Sequence, residues 1–193
     1  MADLDLTLTM AKMVEDMRKV EGYPTEEALN RLAAQLSMPF KAKKDEVAIL
    51  RLSTDGRTIS FVFPTRLGKV GSIPLTTSHS LAAKTIRDKR GELVNNFSVY
   101  KHPTVFEAVD LSAEEKATPI QKIVCAPMIV DGKVVGVLQI SRKAKPGDPV
   151  GPDFTPGDMA ELTTVGTILG KYLIGLPPAP TKPGHPPAPP PKP

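Results

Sequence analysis

A chain of 193 residues, 40% hydrophobic and 24% charged, is long enough for one domain with appendages and too ordinary in composition for a wholly disordered or fibrous protein. Its formal charge of +4 comes from 25 basic and 21 acidic residues interleaved along the chain, without the basic stripe of a nucleic-acid surface, and no apolar run approaches the ~20 residues that span a bilayer. One cysteine excludes an internal disulfide, His79, His102 and His185 give no metal-ligand spacing, and the first residues carry no signal-peptide pattern, so the expectation is a cytoplasmic protein that binds neither nucleic acid nor membrane.

Met10, Met13, Val14 and Met17 stand at i, i+3, i+4 and i+7, the spacing of one helix face, with Arg18 and Lys19 in the last turn and Gly22 as the stop. A second helix follows Pro24, with Thr25 as N-cap, Glu26 and Glu27 in the first turn, and Leu29, Leu32, Ala33 and Leu36 as its stripe. These two helices make residues 1–44 an N-terminal helical extension that packs on the domain. From Glu46 the period changes to two. Val47 to Leu52 and Arg57 to Phe63 form a hairpin around Asp55-Gly56, and alternation puts Phe61 and Phe63 on one face. A loop with Gly68 and Gly71 leads into a helix over Ser78–Arg90, whose face is Leu81, Ala82, Thr85 and Ile86 and which Gly91 ends. A small strand is expected at Leu93-Val94.

The stretch from Asn95 to Gln121 is too long for a simple connection inside a compact domain. Its aromatics Phe97, Tyr100 and Phe106, with Val109 and a capping box at Ser112 and Glu115, predict a structured lid. Ile123 to Ser141 then gives two apolar runs joined by Asp131-Gly132, the residue pair that a type I′ turn prefers, so both arms are read as central strands. Pro127 must sit at a bulge or an unpaired position, and Gly136 lets something approach the sheet closely. The last helix starts at Thr155, with Pro156 at its first position, Asp158 three residues beyond the cap and Phe154 able to pack on Met159; Met159, Leu162, Val165, Leu169 and Tyr172 are its stripe, and Pro177 and Pro178 stop it. Residues 177–193 hold ten prolines and no aliphatic side chain larger than alanine. They are read as a disordered proline-rich tail of polyproline II character, either a spacer or a motif that docks on a partner protein.

This order of elements predicts an α+β fold, with a central antiparallel sheet, helices packed on one face and a loop-covered pocket on the other. Its words resemble the GAF domain over Val47 to Tyr172: IPLTTSHSLAAKTIRDKRGELVNNF, then HPTVF, then the hairpin IVCAPMIVDGKVVGVLQISRK, and finally FTPGDMAELTTVGTIL. The resemblance implies a GAF-like domain over residues 45–176 that senses a small molecule held between sheet and lid, and the convergence of aromatics and amides assigns ligand binding to Phe61, Phe63, Thr85, Asn96 and Tyr100.

The cofactor is unknown. Relatives that bind cyclic nucleotides carry an Asn-Lys, Phe, Asp-Glu signature, which Asn95-Asn96-Phe97 does not complete. Relatives that attach bilins do so through a cysteine, whereas Cys125 lies inside a strand and is read as a core thiol. Reduction of free methionine sulfoxide needs a resolving cysteine, absent here. Lys84, Arg87, Lys89 and Arg90 are read as a solvated helix face, and His79 as a surface or capping residue. The chain is thus expected to be a sensor and not an enzyme, a homodimer through its first and last helices, signalling through a partner; the alternative is a ligand-free dimeric scaffold that presents the tail.

Overall fold

The computed structural model describes residues 2–68, 71–97 and 118–177. Tyr100, Phe106, Val109, the capping box at Ser112 and Glu115, His102, and the tail from Pro178 onward lie outside the described residues, and so does most of the expected lid.

Helix α1 spans Ala2–Arg18 and α2 spans Glu26–Ser37. The Thr25 hydroxyl accepts the Ala28 N–H at 3.2 Å, supplying a partner that the first turn of a helix cannot find within itself. Six strands follow: β1 Val47–Leu52, β2 Thr58–Phe63, β3 Ser72–Pro74, β4 Glu92–Val94, β5 Ile120–Val130 and β6 Lys133–Lys143. They form one sheet in the order β3-β2-β1-β6-β5-β4, antiparallel at every junction. A single turn, α3 (Thr65–Gly68), and a short helix, α4 (Leu81–Asp88), lie between β2 and β4, and the long α5 (Pro156–Ile174) closes the fold. Thr155 and Asp158 make the expected capping box: the Asp158 N–H donates to Thr155 Oγ1 at 3.2 Å and the Thr155 N–H to Asp158 Oδ2 at 2.6 Å.

Both faces of the sheet are covered. On the first, Val47, Ile49, Val124, Ala126, Met128, Leu138 and Ile140 share a core with Met10 and Val14 of α1, Leu29, Leu32 and Leu36 of α2, and Leu162, Val165 and Leu169 of α5. On the second, Leu50, Ile59, Phe61, Cys125 and Val137 pack with Leu67, Ile73, Ala82 and Ile86. The nearly unbroken apolar arms of β5 and β6 require this double cover. Helix α5 comes close because it carries Gly166 and Gly170: a Cβ at Gly170 would stand 2.9 Å from Val130 Cγ2 and 3.1 Å from Val135 Cγ2. Among the described residues, no helix is long and apolar enough to cross a membrane.

The β5–β6 turn is as expected, with Asp131 at φ 49° and Gly132 at φ 74°. The β1–β2 turn is wider than its Asp-Gly pair. Only Gly56 takes a positive φ, its N–H donates to the Ser53 carbonyl at 2.9 Å, and the Ser53 N–H donates to Thr58 O at 2.8 Å. Helix α4 begins at Ser80, whose hydroxyl accepts the Ala83 N–H, and it turns out of the helix at Lys89, φ 50°, before Gly91 is reached.

One expectation about a face fails. Phe61 and Phe63 do not share one, because the ladder pairs Leu50 with Phe61 and Ile49 with Phe63, leaving Val62 as a bulge. The extra residue shifts the alternation by one, so Phe61 joins the second core and Phe63 the first.

Pro127 and Gly136 do what their chemistry demands. Strand β4 pairs only with Ile123–Cys125 of β5, so Pro127 lies beyond the end of that ladder, where its missing N–H costs nothing there. What approaches Gly136 is the neighbouring strand itself: a Cβ there would collide with the Leu50 carbonyl oxygen and with Met128 Cε.

Candidate functional site

On the second face of the sheet, Thr85, Cys125 and Gln139 form a buried polar cluster. From α4, fully buried Thr85 places its Oγ1 at 2.9 Å from the Leu81 carbonyl and 3.2 Å from Cys125 Sγ, and from β6 Gln139 Nε2 donates to the same sulfur at 3.2 Å. Two physical consequences follow. Thr85 has one hydroxyl proton for two neighbours, so the thiol proton can complete the chain by turning to Oγ1. Burial, the dominant cause, pushes the Cys125 thiol up to about 12, against the lowering effect of the Thr85 and Gln139 hydrogen bonds. At neutral pH the sulfur is a protonated, weakly polar group in a dry wall, and its nucleophilic thiolate form is scarce.

Three cations of α4 and the turn after it have partners. Lys84 Nζ pairs with Glu92 and, at 3.1 Å, with Asp88; Arg90 stands 3.5 Å from Glu92, and Arg87 donates to the carbonyls of Leu75 and, at 3.2 Å, Thr77. Hydrogen bonding to Glu92 and then Asp88 raises the Lys84 ammonium above its ordinary value. His79 is exposed in the turn before α4.

At the far edge, where β4 ends, Asn95 and Phe154 are joined twice. Asn95 Nδ2 donates to Phe154 O, and the Phe154 N–H donates to Asn95 Oδ1, both at 2.9 Å. The Phe154 ring lies under the Arg142 guanidinium, 4.4 Å from its carbon. Arg142 is 6% exposed and is held by carbonyls: Nε donates to Pro152 at 2.7 Å, Nη1 to Lys41 and Nη2 to Phe40 at 3.0 Å. Burial pulls its pKa down from the ordinary guanidinium value, opposed by the charges of Glu46, Asp158 and Asp153. Buried Glu46 in turn accepts the backbone N–H groups of Lys43 and Lys143, at 2.7 and 2.6 Å.

The structure brings together some of the residues expected to bind ligand and separates others. Thr85 and Phe61 lie on the second face; Phe63 is on the first, behind the sheet, and is withdrawn from the site. Asn96 is exposed just before the described residues stop at Phe97, itself buried, and Tyr100 lies outside them. Sequence reasoning missed Gln139, Asn95 and Arg142. Gln139 was legible as the one amide inside an otherwise apolar arm; the roles of Asn95 and Arg142 depend on contacts 59 and up to 102 residues away in sequence. Among the described residues, no group of three or more His, Cys, Asp or Glu side chains is placed to hold a metal ion.

A six-stranded antiparallel sheet with long helices on one face and a small helix over a polar cluster on the other defines an α+β module. The sequence profile of the GAF domain matches residues 24–173, and the chain belongs to this family of small-molecule-binding signalling modules. Among solved structures, the GAF domain of an Acinetobacter phosphoenolpyruvate-protein phosphotransferase is similar at 17% identity and TM-score 0.61, covering 89% of this chain and 92% of its own. Residues 122 to 287 of a methyl-accepting chemotaxis protein are similar at 17% identity and TM-score 0.56, with 84% and 94% covered. The free methionine-R-sulfoxide reductase of Neisseria meningitidis, in complex with its substrate, is similar at 13% identity and TM-score 0.56, with 89% and 88% covered. No curated protein matches the chain.

The last of these overturns an expectation. The chain was expected not to be an enzyme because no familiar catalytic spacing occurs in its sequence. The same fold carries a methionine-R-sulfoxide reductase, so this architecture does not exclude catalysis, and the missing motif does not decide the matter.

Proposed function

We propose that this protein is a sensory GAF module that holds a small molecule on the second face of its sheet and passes its occupancy to a partner protein. The observation that carries the proposal is the Thr85, Cys125 and Gln139 cluster, a convergent set of polar groups in a wall otherwise made of Leu50, Ile59, Phe61 and Val137. An apolar recess with a few fixed polar groups is the usual form of a small-molecule site. Phe61 and Thr85 line it from sheet and helix, and Asn96 and Tyr100 are assigned to its lid side. Because Lys84, Arg87 and Arg90 are already engaged, the ligand is inferred to be a neutral or zwitterionic molecule with an apolar body. Cytoplasmic location and output through a partner belong to the same reading, which is supported by the family and by the likeness to a domain of a chemotaxis protein.

The test is a thermal-shift series against nucleotides, cyclic nucleotides, amino acids and tetrapyrroles. A ligand at about 100 times its Kd adds roughly 2.7 kcal/mol, worth several degrees for a domain of this size. One class is expected to raise Tm in the parent and to lose that effect in Thr85→Val and Gln139→Leu. A shift that survives both substitutions undiminished, or no shift with any class, overturns the proposal.

A second reading, a homodimeric scaffold joined through its terminal helices, is favoured by the outer face of α5. Exposed Thr163, Thr164 and Thr167 turn their hydroxyls back to the carbonyls of Met159, Ala160 and Thr163, leaving an uncharged row, and Leu8 of α1 is 62% exposed. A monomer by light scattering would remove it.

A further inference from the structure

Along one row of the sheet, the register sets Glu92 of β4 opposite Cys125 of β5, Cys125 opposite Gln139 of β6, and Gln139 opposite Ala48 of β1. Directly paired residues show their side chains on one face, about 4.5–5.5 Å apart. A carboxylate, a thiol, a carboxamide and a methyl group therefore stand in line on the second face. Lys84 and Arg90 pair with Glu92 at one end of the row. Half-buried Ala48 ends it at the other, with no polar atom in its side chain.

The protons of this row can be counted. A carbonyl has none, so the 2.9 Å contact between Thr85 Oγ1 and Leu81 O spends the hydroxyl proton of Thr85. The 3.2 Å contact between Oγ1 and Cys125 Sγ is then donated by the thiol, which burial keeps protonated at neutral pH. With that proton spent the sulfur can only accept, so the atom that faces it at 3.2 Å is the amide nitrogen of Gln139 and not its oxygen. The relay runs one way, from Gln139 through Cys125 and Thr85 to the Leu81 carbonyl. It fixes which end of the carboxamide is which. The oxygen is turned away from the sulfur, and among the described residues no hydrogen bond reaches that oxygen or the second amide N–H. Thr85 and Cys125 are fully buried, whereas Gln139 is only half-buried, so its open edge is the part of the cluster that a ligand can meet.

We propose, resting on the sensory reading above, that Gln139 reads the ligand by pairing its open edge with an amide-type edge, a donor beside a carbonyl acceptor as in a lactam, imide or primary amide. Thr85 and Cys125 are positioning residues that hold the carboxamide in this one orientation. A carboxylate ligand would set its oxygens against Gln139 Oε1, and an amine would leave the second N–H without an acceptor, and a site that excludes water penalises both. An apolar body extends from that edge over Ala48, where the row offers only a methyl group.

The test uses the full chain, ligand-observed NMR and two probes: 2-quinolone, a lactam edge on a flat apolar body, and N-methyl-2-quinolone, the same body without the donor. The parent is expected to bind 2-quinolone and to bind the methylated probe about ten-fold more weakly or worse. Gln139→Leu is expected to bind both equally. Gln139→Glu has acceptors only and is expected to prefer 2-aminoquinoline, whose protonated edge only donates. Cys125→Ala frees the carboxamide to turn over and is expected to erase most of the discrimination while Tm shows the fold intact; Cys125→Ser, which keeps a proton for Thr85 and a lone pair for Gln139, is expected to restore it. No binding of 2-quinolone, equal affinity of the parent for the two quinolones, or discrimination that survives Gln139→Leu overturns the proposal, and discrimination undiminished in Cys125→Ala overturns the positioning role. The parent comparison needs no variant, so it decides even where a substitution fails to fold. A thermal shift by another ligand class that is lost in Thr85→Val, alongside no binding of 2-quinolone, leaves the ligand site in place and removes the amide reading alone.

Discussion

The side chain of Asn95 holds the backbone of Phe154 at both ends, accepting its N–H and donating to its C=O, each at 2.9 Å. An amide of this kind mimics a strand partner, and it ties the end of β4 to the residue before the α5 N-cap. Each of two partly buried hydrogen bonds is worth about 1 kcal/mol, with more lost where a carbonyl or N–H is left unpaired. Asn95→Ala is therefore expected to cost about 2 kcal/mol, read from the urea midpoint. Asn95→Asp is the sharper probe: its carboxylate faces the Phe154 carbonyl at pH 7, and protonation restores a donor. Its deficit should shrink as pH falls through the carboxylate range, and a deficit that grew instead would show that the donated bond carries no weight.

Arg142 is a buried cation with carbonyls, and the ring of Phe154, where a carboxylate partner is usual. Three segments meet on it: the turn after α2 at Phe40 and Lys41, strand β6, and the approach to α5. A lysine keeps the charge but cannot present a planar fork to three carbonyls. Both Arg142→Lys and Arg142→Met are expected to lose about 2 kcal/mol or more, since each strands buried acceptors. Chemical denaturation decides it, and a lysine variant within 0.5 kcal/mol of the parent, inside the scatter of ordinary surface changes, would reduce the arginine to a spacer.

Gly136 and Gly170 both admit close neighbours, but of different hardness. The first faces the Leu50 carbonyl, a backbone atom that cannot give way, and the second faces the methyl groups of Val130 and Val135. Gly170→Ala should cost about 1–3 kcal/mol by overpacking, whereas Gly136→Ala must break a strand pairing and is expected to yield little folded protein at all. Circular dichroism and soluble yield distinguish them; equal tolerance of both would contradict the packing described.

Much of this was legible in the sequence because it is local. The caps at Thr25 and Thr155, the Asp131-Gly132 turn and the helix stripes follow from short-range rules, and their order points to the antiparallel α+β fold. The bulge at Val62 was not legible: period-two alternation assumes an unbroken ladder, and nothing in ISFVF shows that Val62 has no partner opposite. The placement of the expected ligand residues was legible only in part, for the same reason. Thr85 shows itself through its place on an amphipathic helix, but Phe63 was assigned by alternation, and Gln139 gains its meaning only once β6 lies beside β5. Asn95 and Arg142 act through backbone atoms of distant segments, which side-chain patterns do not encode.

Cys125 supplies the last prediction, and its sign follows from linkage. The unfolded thiol titrates near 9.0 and the folded one at about 12, so between these values the native chain holds a proton that the unfolded chain has released. The contribution is fully present below pH 9 and is lost as pH rises toward 12. Burial also raises Tyr23 and Tyr172, whose titration falls in an overlapping range, so the parent alone cannot isolate the thiol. The comparison with Cys125→Ala does: both proteins weaken as pH rises, but the parent should weaken faster, by up to about 1.4 kcal/mol for each pH unit of the window. Urea midpoints at pH 8, 9, 10 and 11 measure the two slopes. A thiol-specific reagent should in addition leave the native parent unmodified at pH 8 and label it in denaturant. Parallel slopes together with rapid native labelling would mean that the sulfur reaches water, and the wall of the proposed ligand site would then be open where the structure closes it.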